Sequence, residues 1–110
     1  MRIPKEIRSK YHNKISFCLL KHRHDSRAEA AYCNSLLADR QAGRIGGFEV
    51  QVPFDLGAEI KHIVDFVVSS STVEVHDVKG FQTAVWKIKH KLFVEKYPGI
   101  KYVVVNRGKL

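Results

Sequence analysis

Hydrophobic and polar residues alternate in the middle of the chain. Every second residue of one stretch is apolar, at Phe48, Val50, Val52 and Phe54. A period of two predicts a β-strand with one buried face. Pro53, near the end of this stretch, has no N–H to give to a sheet, which favours the edge of a sheet or the end of a strand.

Two further runs are rich in β-branched residues. They cover residues 61–69 and 72–79 and are separated by serines at 69–71. Two such runs around a short polar break predict an antiparallel hairpin. A shorter run at 101–105, KYVVV, predicts a last, buried strand.

Two segments have helical features instead. Residues 28–37 are rich in strong helix formers. Ser26 and Glu29 have the spacing of a capping box, and Gly43 marks the end of this helix. Residues 84–97 return to helical spacing and end at a Pro-Gly pair. The predicted buried stripe of this second helix consists of Val85, Ile88, Leu92 and Phe93.

The predicted elements follow one another as helix, three strands, helix and strand, which is typical of an α/β (α+β) fold. A chain of 110 residues has room for one domain. Residues 1–14 have no apolar period, and residues 15–20 predict at most a short strand. We therefore expect a basic N-terminal arm over residues 1–24 and a single domain over 25–110.

Charge is distributed unevenly along the sequence. The net charge is +8, with +6 in residues 1–24, −5 in residues 25–78 and +7 in residues 79–110. The basic ends favour a polyanionic partner, nucleic acid before an anionic membrane. An enzyme that holds divalent cations against phosphate needs carboxylates concentrated in one place, although acids in the middle would equally balance a soluble surface.

Membrane insertion and a zinc site find little support in the sequence. No apolar run approaches the roughly 18 residues that span a bilayer, so we expect a soluble, cytoplasmic protein with no membrane partner. Cys18 and Cys33 lack the paired CxxC spacing of a zinc site, and reduced thiols are the preferred interpretation.

The predicted hairpin brings two aspartates and a lysine together. Asp77 and Lys79 are two residues apart and project from one face of a strand. If the hairpin is symmetric about Ser71, Asp65 lies opposite Asp77, with Cβ atoms about 4.5–5.5 Å apart. Carboxylates this close repel each other unless a cation lies between them, and magnesium accepts such an arrangement. A nearby lysine stabilises the charge that develops in phosphodiester hydrolysis.

Glu29 is a third candidate acid with two interpretations. It shares a helical stripe with Tyr32, Cys33 and Leu36, which points it inward. Its spacing from Ser26 equally suits a capping role, which we favour. For Asp65, the alternative is an aspartate at an edge that faces solvent. For Asp77 and Lys79, the alternative is a cross-face pair on a solvated strand. Gln51, on the polar side of its strand, could also reach this site.

The acidic positions match a known pattern. Asp65 in HIVDFVV, the DVK of VEVHDVKG and Glu29 in DSRAEA resemble the motifs of the PD-(D/E)XK nuclease superfamily. More narrowly, residues 25–105 resemble small phage and prophage proteins within it. This resemblance implies a restriction-endonuclease-like core, in which helices flank a central mixed β-sheet. The chain departs from the pattern at Val64, where the superfamily name gives Pro, and at Asp77, where Glu is commoner.

The resemblance also implies roles for these residues. Asp65 and Asp77 would bind the metal together with the backbone carbonyl of Val78. Lys79 would be the catalytic lysine, and Glu29 the helix carboxylate that assists the metal or the water and is itself a candidate ligand. The implied cofactor is Mg²⁺, with Mn²⁺ as a substitute.

The implied activity is that of a metal-dependent DNA endonuclease, a hydrolase of phosphodiester bonds. A nuclease this small has little surface for long targets, so we expect a homodimer acting on branched DNA such as a Holliday junction, by analogy with small resolvases of the superfamily. If phage-encoded, it would act in the cytoplasm of a bacterial host. The alternative is a non-catalytic nucleic-acid-binding module on the same fold. Basic side chains expected to contact DNA are Lys21, Arg23, Lys87, Lys89 and Lys91.

Overall fold

The structure, a computed structural model, describes residues 16–20, 22–24 and 26–106. Within these segments it contains β1 Ser16–Phe17, β2 Arg23–His24, α1 Arg27–Gln41, β3 Gly47–Gly57, β4 Ile60–Ser69, β5 Val73–Lys79, α2 Ala84–Lys96 and β6 Lys101–Asn106. The predicted order of helix, three strands, helix and strand is confirmed. Residues 1–15 of the arm predicted over residues 1–24 lie outside the described residues.

Four strands form a mixed sheet in the order β3-β4-β5-β6. β3 and β5 are both antiparallel to β4, whereas β5 and β6 are parallel. A parallel pair needs a crossover, which α2 supplies. Together with the two helices, this mixed sheet confirms the α/β (α+β) class.

The two edges of the sheet are β3 and β6. The edge position of β3 agrees with the prediction from Pro53. The prediction that the last strand is buried is wrong, since every residue of β6 is half-buried or exposed. Among the described strands, β6 has a hydrogen-bonded neighbour on one side only, so its apolar composition does not secure full burial.

β1 and β2 form a separate antiparallel pair. β1 falls within the segment predicted as a short strand, and β2 is additional to the prediction. Cys18, between the two strands, belongs to an apolar cluster with Cys33 and Leu36 of α1. The ring of His24 lies 5.7 Å from that of Phe66 in β4. The hairpin is therefore packed against both α1 and the sheet.

α1 has the predicted caps. Ser26 is the N-cap, and its Oγ accepts a hydrogen bond from the Glu29 N–H at 3.1 Å. Gly43, with φ +76, follows the C-cap residue Ala42. Glycine adopts this left-handed conformation without strain, which explains why the helix ends here. The buried residues of α1 are Glu29, Ala30, Cys33, Leu36 and Leu37.

α2 buries Phe93 of the predicted stripe and leaves the other three residues of that stripe exposed. Its buried residues are Trp86 and Phe93, whereas Val85 and Ile88 are 63% and 62% exposed and Leu92 also counts as exposed. The buried face is built from large rings, with His90 stacked on Trp86 at 4.8 Å. The aliphatic stripe therefore marks the outer side of α2. Neither α2 nor α1, in the part of the chain that the structure describes, is long and apolar enough to cross a bilayer.

The apolar side chains of the sheet divide between two clusters. The cluster on α1 contains Cys18, Cys33, Leu36, Phe66, Val68 and Val78, and the cluster on α2 contains Val64, Val75 and Phe93. Along β3, Phe48 and Val50 pack against the α1 cluster, whereas Val52 and Phe54 pack against the α2 cluster. Residues an even number apart share one face of a regular strand, so β3 turns over between Val50 and Val52.

Gln51 is the residue at which β3 turns over, and its φ is +52. β4 turns over at the facing position, because Val64 belongs to the α2 cluster and Phe66 to the α1 cluster. The register of β3 with β4 accordingly skips Gln51 and Asp65. This irregularity places both side chains at a break in the sheet.

Candidate active site

Asp65 and Asp77 lie where β4 and β5 part. Regular pairing ends at Phe66 and His76, in the register that symmetry about the serine turn predicts. Beyond that pair, Asp77 Oδ1 accepts a hydrogen bond from the Asp65 N–H at 2.7 Å, and Asp65 Oδ2 accepts one from the Val78 N–H at 2.8 Å. The two carboxylates thus replace backbone partners of the ladder and are fixed side by side. The N–H and C=O of a residue in an extended strand point the same way, so the Val78 carbonyl also faces β4.

Asp77 is surrounded by hydrogen-bond donors. Its Oδ2 accepts a hydrogen bond from Trp86 Nε1 at 3.1 Å and another from the Tyr102 hydroxyl. His62 Nε2 lies 3.7 Å from the same oxygen and 2.8 Å from Tyr102 Oη. Burial alone would raise the pKa of Asp77, but the nearby His62 ring and hydrogen bonds from Tyr102, the Asp65 backbone and Trp86 hold this pKa below its ordinary value. Asp77 is therefore a carboxylate kept ionised although only 1% exposed.

Asp65 has the opposite environment. Burial raises the pKa of its carboxyl well above the ordinary value, and a hydrogen bond with Glu29 and the charges of Glu29 and Asp77 raise it further. The positive charge of Lys79 opposes this rise in pKa. Glu29 is itself 4% exposed. Three carboxyl groups therefore converge, and a proton or a cation is needed to hold them together.

Gln51 and Lys79 complete the cluster. Gln51 Nε2 donates a hydrogen bond to Glu29 Oε1 at 2.8 Å. Lys79 is half-buried, and its Nζ lies 5.7 Å from the centre of the Trp86 ring. An ammonium group is thus held on the aromatic wall of the acidic cluster.

The acidic residues and the lysine expected at the site do come together. Glu29, Asp65, Asp77 and Lys79 converge as described above. The cap at the start of α1 uses the backbone N–H of Glu29, while its carboxylate lies against Gln51. The favoured capping role therefore describes only the backbone of Glu29, and the inward-facing interpretation holds for its side chain.

The basic side chains expected to contact DNA belong to α2 and to the segment before α1. On α2, Lys87 and Lys91 are exposed and Lys89 is half-buried. Arg23 lies in β2, but only its backbone is described. Lys21 lies outside the described residues. Their contact with DNA stays a prediction.

Three residues of the site have only weak signals in the sequence. His62, Trp86 and Tyr102 each carry one or two polar atoms on an aromatic ring. They meet Asp77 from β4, α2 and β6. Trp86 and Tyr102 do so because α2 crosses over and sets β6 parallel to β5. A ring with a polar atom at a position expected to be buried needs a hydrogen-bond partner. This feature of the sequence could have identified the three residues.

Comparisons with known proteins identify a family. A search of curated proteins and a search of solved structures give no match. The family model described as "Protein of unknown function (DUF1064)" matches residues 8–109, which include every residue of the site described above. The chain belongs to the DUF1064 family.

Proposed function

We propose that this chain is a metal-dependent DNA endonuclease of the PD-(D/E)XK kind. The observation that carries the proposal is the reciprocal bonding of Asp65 and Asp77 across the parting strands, with Glu29 and Lys79 alongside. Placing three carboxyl groups beside one another, two of them buried and Asp65 half-buried, is unfavourable for folding unless a cation or a proton joins them. Such groupings with displaced pKa values are concentrated at functional sites.

The donor set fits a hard divalent cation. Carboxylate oxygens and a backbone carbonyl are the ligands that Mg²⁺ and Mn²⁺ take in proteins. We assign Asp65, Asp77 and the Val78 carbonyl as ligands, with Glu29 as a further candidate. Burial raises the pKa of Asp65 most, and the charges of Glu29 and Asp77 add to this rise; a bound cation would offset these negative charges.

The surrounding residues have separate tasks in the proposed hydrolysis. When bound, the cation polarises the phosphate and lowers the pKa of the attacking water. Lys79 provides positive charge where negative charge develops on the phosphate. Trp86 and Tyr102 keep Asp77 ionised, and Gln51 orients Glu29 towards Asp65. The water oxygen bonds to phosphorus, the bond to the 3′ oxygen breaks, and that oxygen takes up a proton, which leaves a 5′-phosphate.

Two active-site substitutions test the assignment. We expect Asp77→Asn to abolish Mg²⁺-dependent cleavage and Lys79→Ala to slow it about 100- to 1000-fold, as the loss of one group that stabilises the transition state does elsewhere. Lys101→Ala, an exposed lysine at the start of β6, is the matched control and should cleave like the parent. Undiminished cleavage by both active-site variants would overturn the assignment.

We further propose branched DNA as the substrate and a cytoplasmic homodimer as the active form. Initial cleavage rates on a four-way junction, a flap, single-stranded DNA and linear duplex, each with and without Mg²⁺ or Mn²⁺, measure the preference. Equal rates on all four substrates would remove the structure-selective part of the proposal and leave the endonuclease. Light scattering after size exclusion measures the oligomeric state.

A thermal titration separates the endonuclease from a non-catalytic binding module. A cation that binds only the folded state raises the unfolding temperature. We expect millimolar Mg²⁺ to raise it in the parent and to leave the Asp77→Asn variant unchanged. DNA binding with neither stabilisation by Mg²⁺ nor cleavage would favour the binding module.

A further inference from the structure

A second group of metal-binding side chains lies outside the acidic site. Cys18, His22 and His24 belong to the β1–β2 hairpin, and Cys33 belongs to α1. One ligand atom from each of the four lies within 4.8 Å of the other three. Three of these residues are buried, and His22 is half-buried. Residues that are 15 positions apart at the extremes thus converge on one point.

The contacts within this group are close but incomplete. The sulfur atoms of Cys18 and Cys33 are 3.1 Å apart, and His22 Nδ1 lies 3.4 Å from Cys33 Sγ. His24 is 1% exposed, and both of its ring nitrogens are buried without a hydrogen-bond partner among the described residues. A buried imidazole with two unsatisfied nitrogens is unfavourable for folding, so a ligand at this point is expected.

We propose that Cys18, His22, His24 and Cys33 bind one Zn²⁺ ion in a closed structural site. Two thiolates and two imidazoles are a common tetrahedral ligand set for zinc. Bonds of about 2.0–2.3 Å place neighbouring ligand atoms of a tetrahedron about 3.3–3.8 Å apart. The observed separations of 3.1 and 3.4 Å, and the upper limit of 4.8 Å, need only small side-chain adjustments to reach this geometry.

His24 has a carboxylate in the position of an outer-shell partner. Its Nδ1 lies 3.6 Å from Glu29 Oε2. A ligating histidine commonly donates its second N–H to a carboxylate, which fixes the ring and its tautomer. With Nδ1 directed at Glu29, Nε2 is left to bind the metal. Glu29 would then link the zinc site to the acidic cluster.

The spacing of the four residues explains why the sequence conceals the site. They follow the pattern Cys-x3-His-x-His-x8-Cys, which contains no CxxC pair. A hairpin folded against a helix replaces the usual paired spacing. The site would fasten this small two-stranded element to α1. The first turn of α1 also carries Glu29, which belongs to the acidic cluster. This role does not depend on nuclease activity.

Metal content tests the proposal directly. The full chain is purified under reducing conditions without added metal or chelator, and its zinc content is measured by inductively coupled plasma mass spectrometry. We expect about one zinc ion per chain, with all four ligands supplied by the protein. Replacement by Co²⁺ should give the visible absorption of tetrahedral cobalt and a thiolate-to-cobalt charge-transfer band. A chain with no zinc and two freely titrating thiols, or with an intact mass that shows a Cys18–Cys33 disulfide, would overturn the proposal.

Substitutions locate the site. Cys33→Ser and His22→Asn, the latter at a half-buried position, should each weaken zinc binding by more than about 100-fold. Loss of an outer-shell partner alone lowers metal affinity by about 10- to 100-fold. His22→Asn keeps the test valid if Cys33→Ser fails to fold. The matched control, His90→Gln on α2, should retain its zinc. Wild-type zinc content in His22→Asn and Cys33→Ser would contradict the ligand assignment.

The zinc test and the nuclease test fail independently. The Asp77→Asn variant should lose Mg²⁺-dependent cleavage and keep its full zinc content. Zinc without cleavage by the parent would leave this proposal standing and remove the proposed function. Cleavage without zinc would do the reverse.

Discussion

Asp65 and Asp77 carry the same side chain, yet their surroundings move their pKa values in opposite directions. Asp77 is ringed by donors, whereas Asp65 meets the carboxylate of Glu29. Where the surroundings of two carboxyl groups move their pKa values apart, the two groups commonly have different roles. In the proposed site, Asp77 is the fixed anionic ligand, and its donors are as important as the carboxylate itself.

A single hydroxyl tests this view of Asp77. Tyr102→Phe removes the donor to Asp77 Oδ2 and the partner of His62. We expect cleavage to slow about 10- to 100-fold, as for loss of an outer-shell partner. The free energy of unfolding should fall by only about 1 kcal/mol, the usual value of one hydrogen bond. Rates on a DNA substrate and urea unfolding measure the two effects.

Tyr97 supplies the matched control for this hydroxyl. It also donates one hydrogen bond, to the Asp55 carbonyl at 2.7 Å, but it lies outside the acidic cluster. Tyr97→Phe should lower stability by a similar amount and leave cleavage unchanged. Equal losses of activity in both tyrosine variants would show that the Tyr102 hydroxyl acts through stability alone.

The residues of the site differ in how far local sequence reveals them. Asp65, Asp77 and Lys79 follow from counting outwards from one serine turn, because a hairpin register is a local property. Trp86 and Tyr102 reach Asp77 through the α2 crossover and the parallel pairing of β5 with β6. That pairing brings together residues distant in sequence, and no periodicity in one segment encodes it.

At the scale of elements, the strands and helices are predictable but their faces are not always so. β3 has the alternating burial that its sequence predicts. Its two halves nevertheless face different clusters, because the left-handed backbone at Gln51 turns the strand over. Only glycine adopts that conformation without strain, so a glutamine there gives no local signal. On α2, aromatic rings occupy the buried face and the aliphatic stripe is exposed.

Substitutions at Gln51 measure the strain at this turnover. Gln51→Ala and Gln51→Gly both remove the hydrogen bond to Glu29. Only alanine keeps a Cβ in the left-handed conformation, so the glycine variant should be more stable by about 1–2 kcal/mol in urea unfolding. Glu49 is an exposed residue of the same strand and serves as the control. There the alanine variant should be more stable than the glycine variant by about 0.5–1 kcal/mol. An alanine variant as stable as the glycine variant at position 51 would contradict the strained turnover.

At the scale of the whole molecule, the uneven charge of the sequence acquires a spatial meaning. The middle segment, residues 25–78, is net acidic, and three of its acids, Glu29, Asp65 and Asp77, converge at one break in the sheet. The last third is net basic and supplies both Lys79 within the cluster and the lysines of α2. If the acidic cluster holds a cation as proposed, basic residues in the same chain would bind the phosphates of the nucleic-acid backbone that it cuts.

The salt dependence of DNA binding tests the part of α2 in this arrangement. Lys87 follows Trp86, whose ring NH is bonded to Asp77, and it is exposed. If Lys87 neutralises one phosphate, Lys87→Gln should reduce the slope of log affinity against log salt by about 0.9. Fluorescence anisotropy in the Asp77→Asn background, where cleavage is prevented, measures this slope. Lys101→Gln removes the same charge beside Glu74, near the start of β5 and away from Lys79 at its end, and should leave the slope unchanged. Equal changes in both variants would mean that the overall charge of the chain, rather than α2, attracts the DNA.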